Sequence, residues 1–106
     1  MTWEVAVRVT FVQSGGIVGA ARACELDSSL LPADEARELE SLVAASELGS
    51  SGDYRSPNAR DLRSYEIRVE DEARRVSVTF DDRTLPERAR PLVSFLRRNS
   101  RPRGAP

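Results

Sequence analysis

The stretch WEVAVRVTF, residues 3–11, decides the fold. Trp3, Val5, Val7, Val9 and Phe11 fall on one parity, and Glu4, Ala6, Arg8 and Thr10 on the other. Bulky apolar side chains at period two predict a strand with one face buried and the other in water. Ser14-Gly15-Gly16 then punctuates the chain with residues that tolerate positive φ. A second extended run follows over about 17–26, where Ala20, Ala21 and Ala23 suit either face and Gly19 is a candidate bulge. The pair predicts a hairpin with a connection longer than two residues.

Further along, Asp27-Ser28-Ser29 breaks the second strand and Pro32 stands where a helix should begin. Asp34 and Glu35 fill a first turn, where the helix dipole favours anions. Ala36, Leu39, Leu42 and Val43 share one face, so the spacing predicts a helix over 32–47 with Gly49 as its stop. Residues 49–63 carry Gly, Ser, Pro and Asn without periodicity and predict an irregular loop. Alternation returns at Tyr65, Ile67 and Val69, and again at Val76, Val78 and Phe80, across a polar turn at 70–74. That is a second hairpin. Leu85, Ala89, Leu92, Val93 and Leu96 predict a second amphipathic helix starting near Pro86.

The expected fold is therefore α+β in the order ββαββα. It has a four-stranded, mainly antiparallel sheet, with both helices packed on one face and the other face open to water. The expected division is one domain over 1–99 and a flexible Arg/Pro-rich tail over 100–106. The two ββα halves echo each other in element order but not in sequence.

Composition narrows the chemistry. A chain of 106 residues has room for one core, and at this size folding hides roughly 65% of the unfolded surface. Apolar residues make up 40% and charged residues 31%, which argues against disorder over most of the length. No apolar run approaches the roughly 20 residues of a membrane span. The start, Met1-Thr2-Trp3-Glu4, lacks the basic-then-apolar pattern of a secretory signal, so the expected location is cytoplasmic.

There is no histidine, which removes the commonest general base, the paired Ser-His and Cys-His nucleophiles and the commonest zinc ligand. All 16 basic residues are arginine, which excludes Schiff-base lysines and a phosphate-binding loop. The single cysteine, Cys24, excludes an internal disulfide and a multi-cysteine metal site. With no histidine to activate it, Cys24 is a small hydrophobe rather than a nucleophile. The expectation is a non-enzyme with no cofactor, no metal and no catalytic residues.

Charge is uneven. Residues 1–82 hold 9 Arg and 16 acids, net −7, while residues 83–106 hold 7 Arg and one acid, net +6. Arg97, Arg98, Arg101 and Arg103 form a basic end that could touch phosphates. No aromatic residue is interleaved there to stack bases, so nucleic acid is not an expected partner. The plainer reading has two of these arginines complementing a helix C-terminus and two solvating a tail. Acidic clusters at Asp34-Glu35-Glu38, Glu70-Asp71-Glu72 and Asp81-Asp82 fall at a helix start, a hairpin turn and a strand end. They read as solvated surface, without the spacing of a calcium loop.

Two segments could meet a partner. Ser14-Gly15-Gly16-Ile17-Val18-Gly19 sets glycines around two branched apolar residues, either as a tolerant turn or as a protruding loop that presents an apolar side chain. In the 49–63 segment, Tyr54 and Arg60 are candidate contacts, although Arg60 and Asp61 could instead pair to brace the loop.

Ser14-Gly15-Gly16 before Gly19, between two strands, resembles the Ser-Gly-Gly-Phe-Ala-Gly signature of the emfourin family. The likeness continues through Leu30-Leu31-Pro32, Glu38-Leu39-Glu40-Ser41-Leu42-Val43, Arg60-Asp61 before Tyr65-Glu66-Ile67-Arg68-Val69, Asp81-Asp82 before Leu85-Pro86, and Arg90-Pro91-Leu92-Val93. It spans about residues 4–97. Ile17-Val18 stands where the family usually has Phe-Ala, and Ala20 where it often has a larger aliphatic residue. The resemblance implies a small bacterial inhibitor of thermolysin-like zinc metalloproteases of the protealysin group. On that reading the Ser14–Gly19 loop blocks the protease cleft; the expectation beside it is a chain that is monomeric when free and engages no membrane. The alternative is a non-catalytic binding module of the same fold whose loop has diverged toward another protein partner.

Overall fold

A computed structural model describes residues 6–15, 21–57 and 61–102. The elements run β1 (Arg8–Gly15), β2 (Arg22–Asp27), α1 (Ala33–Ser46), β3 (Gly52–Asp53), β4 (Arg63–Glu70), β5 (Arg75–Asp81), α2 (Arg90–Arg98) and β6 (Arg101–Pro102). Short 3₁₀ turns, Ser28–Leu30 and Glu87–Ala89, lead into the two helices.

The strands form one sheet in the order β3-β5-β4-β1-β2-β6. Its centre is the expected antiparallel set: β1 pairs with β2 and with β4, and β4 pairs with β5. The sheet is nevertheless six-stranded and mixed rather than four-stranded, because β3 adds parallel to β5 and β6 adds antiparallel to β2. Both additions are two residues long, too short for any periodicity. β3 lies inside the segment read as an irregular loop, where the Ser51 hydroxyl accepts the Ser77 N–H at 2.9 Å. β6 occupies the start of the stretch read as a tail. There the Arg22 guanidinium donates to the Ser100 hydroxyl and carbonyl at 3.0 and 3.2 Å. Residues 103–106 lie outside the described residues.

Period two sets the buried face. Val9 and Phe11 of β1, Tyr65, Ile67 and Val69 of β4, and Val76, Val78 and Phe80 of β5 are all buried. They pack with Leu39 and Val43 of α1 and with Leu92, Val93, Phe95 and Leu96 of α2 in one core. Each fully buried aliphatic or aromatic side chain adds about 1.5–3 kcal/mol. Arg8, Glu66 and Arg68, on the opposite parity, face water.

Three boundaries differ from expectation. β1 begins at Arg8 and runs on to Gly15, which carries the buried parity past Phe11 to Gln13; Trp3 and Val5 lie outside the described residues. β2 begins at Arg22, and residues 17–20 of its expected start lie outside the described residues. α1 stops at Glu47, not Gly49: Glu47 takes φ 51°, a left-handed turn that directs Leu48 into the core.

Candidate functional site

The registers bring one set of chain ends together. Gly15 at the end of β1 lies opposite Arg63, and Ser64 lies opposite both Ser14 and Asp81. On the other side of β1, Gln13 lies opposite Arg22, which pairs with Pro102. β3 runs parallel to β5, so Tyr54 emerges at this end as well. The rim therefore reads Tyr54, Asp81, Arg63, Gly15, Arg22, Pro102 across about 24 Å, at ~4.8 Å per strand. Ser14-Gly15 and Tyr54, nominated separately from the sequence, share one edge three strands apart.

At the centre of that rim the backbone needs glycine. Gly15 has φ +80°, and a Cβ there would sit 3.0 Å from the Leu62 carbonyl oxygen. A rigid backbone oxygen cannot yield as a side chain could, and L residues avoid this φ. Glycine thus lets β1 run close against the start of β4. Ser14 is half-buried and Gly15 exposed. The rest of the nominated loop, Gly16, Ile17, Val18 and Gly19, lies outside the described residues, as does Arg60 with its expected pairing to Asp61.

The outer part of the rim is braced by Asp81. Its buried carboxylate accepts the Ser56 hydroxyl at 2.5 Å, the Ser56 N–H at 2.6 Å, and the Arg83 and Thr84 N–H groups at 2.7 and 2.9 Å. Burial works against its charge most strongly, but the donors from Ser56, Arg83 and Thr84 together outweigh it. The carboxyl is held well below the usual range. Asp82 accepts the Arg63 N–H at 2.9 Å and the Tyr65 hydroxyl, which ties β5 to the start of β4 beside Gly15.

Tyr54 rests on this frame. Its ring stacks on Phe80 with centroids 5.3 Å apart, its N–H donates to the Thr79 carbonyl at 2.8 Å, and its hydroxyl donates to the Ser50 carbonyl at 3.0 Å. It remains 43% exposed, enough to offer a partner one fixed aromatic edge. Asp53 and Arg55 flank it as an exposed pair, Nη2 to Oδ2 at 2.6 Å. The acidic pair at 81–82, which reads in the sequence as solvated surface, is instead the internal brace. The signal for it was the Asp-Asp-x-Thr turn after a strand, where a side-chain carboxylate caps the N–H groups two and three residues on.

The Cys24 thiol donates to the Leu96 carbonyl at 3.4 Å, and burial pushes its pKa up to about 11, so the thiolate is disfavoured at neutral pH. Among the described residues no group of three His, Cys, Asp or Glu side chains is placed to hold a metal ion. No described helix is long and apolar enough to cross a membrane. What the rim can do is present backbone and a few fixed side chains to another molecule.

No curated protein and no solved structure matches the chain. The family model for emfourin matches residues 11–97. That match runs from Phe11 in β1 to Arg97 in α2 and takes in the whole rim except β6, so the chain belongs to the emfourin family.

Proposed function

We propose that this chain is a protein inhibitor of a thermolysin-like zinc metalloprotease, and that the Ser14–Gly19 loop occupies the protease's active-site cleft. The family match is the observation that carries this reading. The rim supports it: β1 reaches the loop with its backbone paired on both sides as far as Gln13, and Gly15 lets the strand end lie against the start of β4, where a side chain would meet the Leu62 carbonyl oxygen. Ordering the arms of the loop before binding lowers the entropy lost on association. Tyr54, held by Phe80 and by the Asp81 brace, supplies a second contact on the same edge. Together the two contacts span a width suited to an interface of about 800 Å² per partner.

The catalytic work in such a complex belongs to the protease. Its zinc and its acid/base residues are what the loop covers, so the inhibitor itself needs neither histidine nor a reactive thiol. The test is a titration of a purified thermolysin-like protease with this protein, read by hydrolysis of a peptide substrate. Loss of activity near equimolar ratio, with the inhibitor intact on a gel afterward, is the expected result. Full activity in molar excess would sink the reading for that protease. Binding without inhibition would favour the module with a diverged loop.

A further inference from the structure

The basic end of the sequence is not remote from the rim. Arg22 clamps the last turn of α2 through Ser100, and β6 pairs with Ala23 and Arg22, so the C-terminal end of α2 lies at the same sheet end as Gly15. Arg22, Arg97 and Arg98 line one groove of about 590 Å³ between α1, α2 and β2, whose floor includes Leu42, Pro91 and Ser94. Arg101 continues the basic surface along β6 and is exposed.

Most of this charge is unspent. Arg98 has Glu38 at 3.8 Å and lies 5.7 Å over the Phe95 ring. Among the described residues, no carboxylate comes within 4.0 Å of Arg22, Arg97 or Arg101. The chain as a whole is net −1, so this is a local concentration of positive charge rather than a basic protein. β2 and β6 lie one and two strands from β1. That puts their backbones about 5 and 10 Å from it, inside or near one Debye length at physiological salt. Arg22 and Arg101, so placed, act on whatever approaches the Ser14–Gly15 edge.

We propose that the groove of Arg22, Arg97 and Arg98, extended by Arg101, is a second contact surface of the inhibitor, and that it engages a carboxylate-rich segment of the protease beside its cleft. The proposal rests on the inhibitor reading and adds the chemistry of the partner's flank. Guanidinium forks suit carboxylates, and among the described residues no aromatic ring lines the groove on which a base could stack. The surface steers the encounter: charges at an interface rim act mainly on association rate and its salt dependence.

The experiment measures association and dissociation rates with a thermolysin-like protease that the parent protein inhibits, at about 20 mM and about 300 mM salt. The Arg97→Glu/Arg101→Glu variant should associate about 10-fold more slowly at low salt and about twofold more slowly at high salt. Its dissociation rate should change far less. The Arg97→Gln/Arg101→Gln variant should fall between it and the parent. Glu38→Gln removes the groove's own carboxylate and should speed association about twofold, a gain that a damaged fold cannot produce. Circular dichroism checks that each variant is folded. Association rates within twofold of the parent for every variant at low salt would overturn the proposal while leaving inhibition standing. Tight RNA binding, with protease association unaffected by the substitutions, would overturn it in favour of a polyanion. A parent that binds no such protease fails before any variant is compared, and that outcome removes the inhibitor reading itself.

Discussion

Ser56 and Asp81, 25 residues apart in sequence, are joined twice: the Ser56 hydroxyl and N–H both donate to one carboxylate oxygen, at 2.5 and 2.6 Å. The other oxygen takes the Arg83 and Thr84 N–H groups, so one side chain fixes the 54–57 segment to the end of β5.

Removing that acceptor should be costly. Asp81→Ala removes a fully buried acceptor from four donors, of which the Thr84 N–H alone keeps a second acceptor, the backbone carbonyl of residue 81 at 3.2 Å. Unsatisfied donors and lost charge-assisted bonds together should destabilise the protein by roughly 3 kcal/mol and lower Tm by about 10–20 °C. Thermal unfolding of the variant beside the parent measures this. Near-parental stability would mean that the 54–57 segment is held by the Tyr54–Phe80 stack instead.

The same carboxylate sets an acid limit. An ordinary aspartate titrates near pH 4, and Asp81 is held below that when folded, so the unfolded chain takes up its proton first as pH falls. Stability from Asp81 is therefore fully present above about pH 5 and is lost progressively below about pH 4. Asp27, held down by the Ser29 hydroxyl, and Asp53, held down by Arg55, act in the same direction. The stability gap between parent and Asp81→Asn should be largest at neutral pH and should shrink in acid. Urea titrations at a neutral and an acidic pH check the sign.

The contrast between Asp81 and the core shows where the sequence is readable. Val9 and Phe11, Ile67 and Val69, and Val76 and Val78 announce themselves because burial on one sheet face repeats every second residue. Tertiary pairings have no such period. β3 and β6 exist because their neighbours offer open edges, and two residues carry no pattern. Ser56 and Asp81 meet across 25 residues of sequence, so no local spacing announces the contact. Gln13 keeps the buried parity of β1 although it is polar, and its Oε1 has no hydrogen-bond partner among the described residues. Of the nominated contacts, Ser14, Gly15 and Tyr54 come together on one rim. The placement of Arg22 beside them was hidden, because it depends on the order of strands rather than on local composition.

Gly15 separates backbone geometry from side-chain contact. Gly15→Ala puts a Cβ against the Leu62 carbonyl oxygen at 3.0 Å and holds a non-glycine residue at φ +80°. It should destabilise by about 1–3 kcal/mol and, by shifting the rim, weaken inhibition. Gly49→Ala is the control: its Cβ would meet only the Glu47 carbonyl oxygen at 3.9 Å, so stability should stay within about 0.5 kcal/mol of the parent. Equal effects at the two positions would show that the rim geometry is not special.

The loop itself is tested at Ile17. Under the proposed function Ile17 is the principal anchor and Val18 its neighbour, since thermolysin-like proteases take bulky apolar residues just after the scissile bond. Isoleucine fills such a pocket with less area than the phenylalanine usual in the family. Burying a branched aliphatic side chain is worth about 1.5–3 kcal/mol, so Ile17→Gly should raise the inhibition constant roughly 10- to 100-fold. Arg101→Ala alone should matter far less, because truncating one rim charge costs little beside removing a buried anchor. Inhibition constants for the two variants, with folding followed by circular dichroism, decide the ranking. If Ile17→Gly inhibits as well as the parent while Tyr54→Ala abolishes inhibition, the anchor lies on the 49–63 segment and the roles of the two rim contacts are reversed.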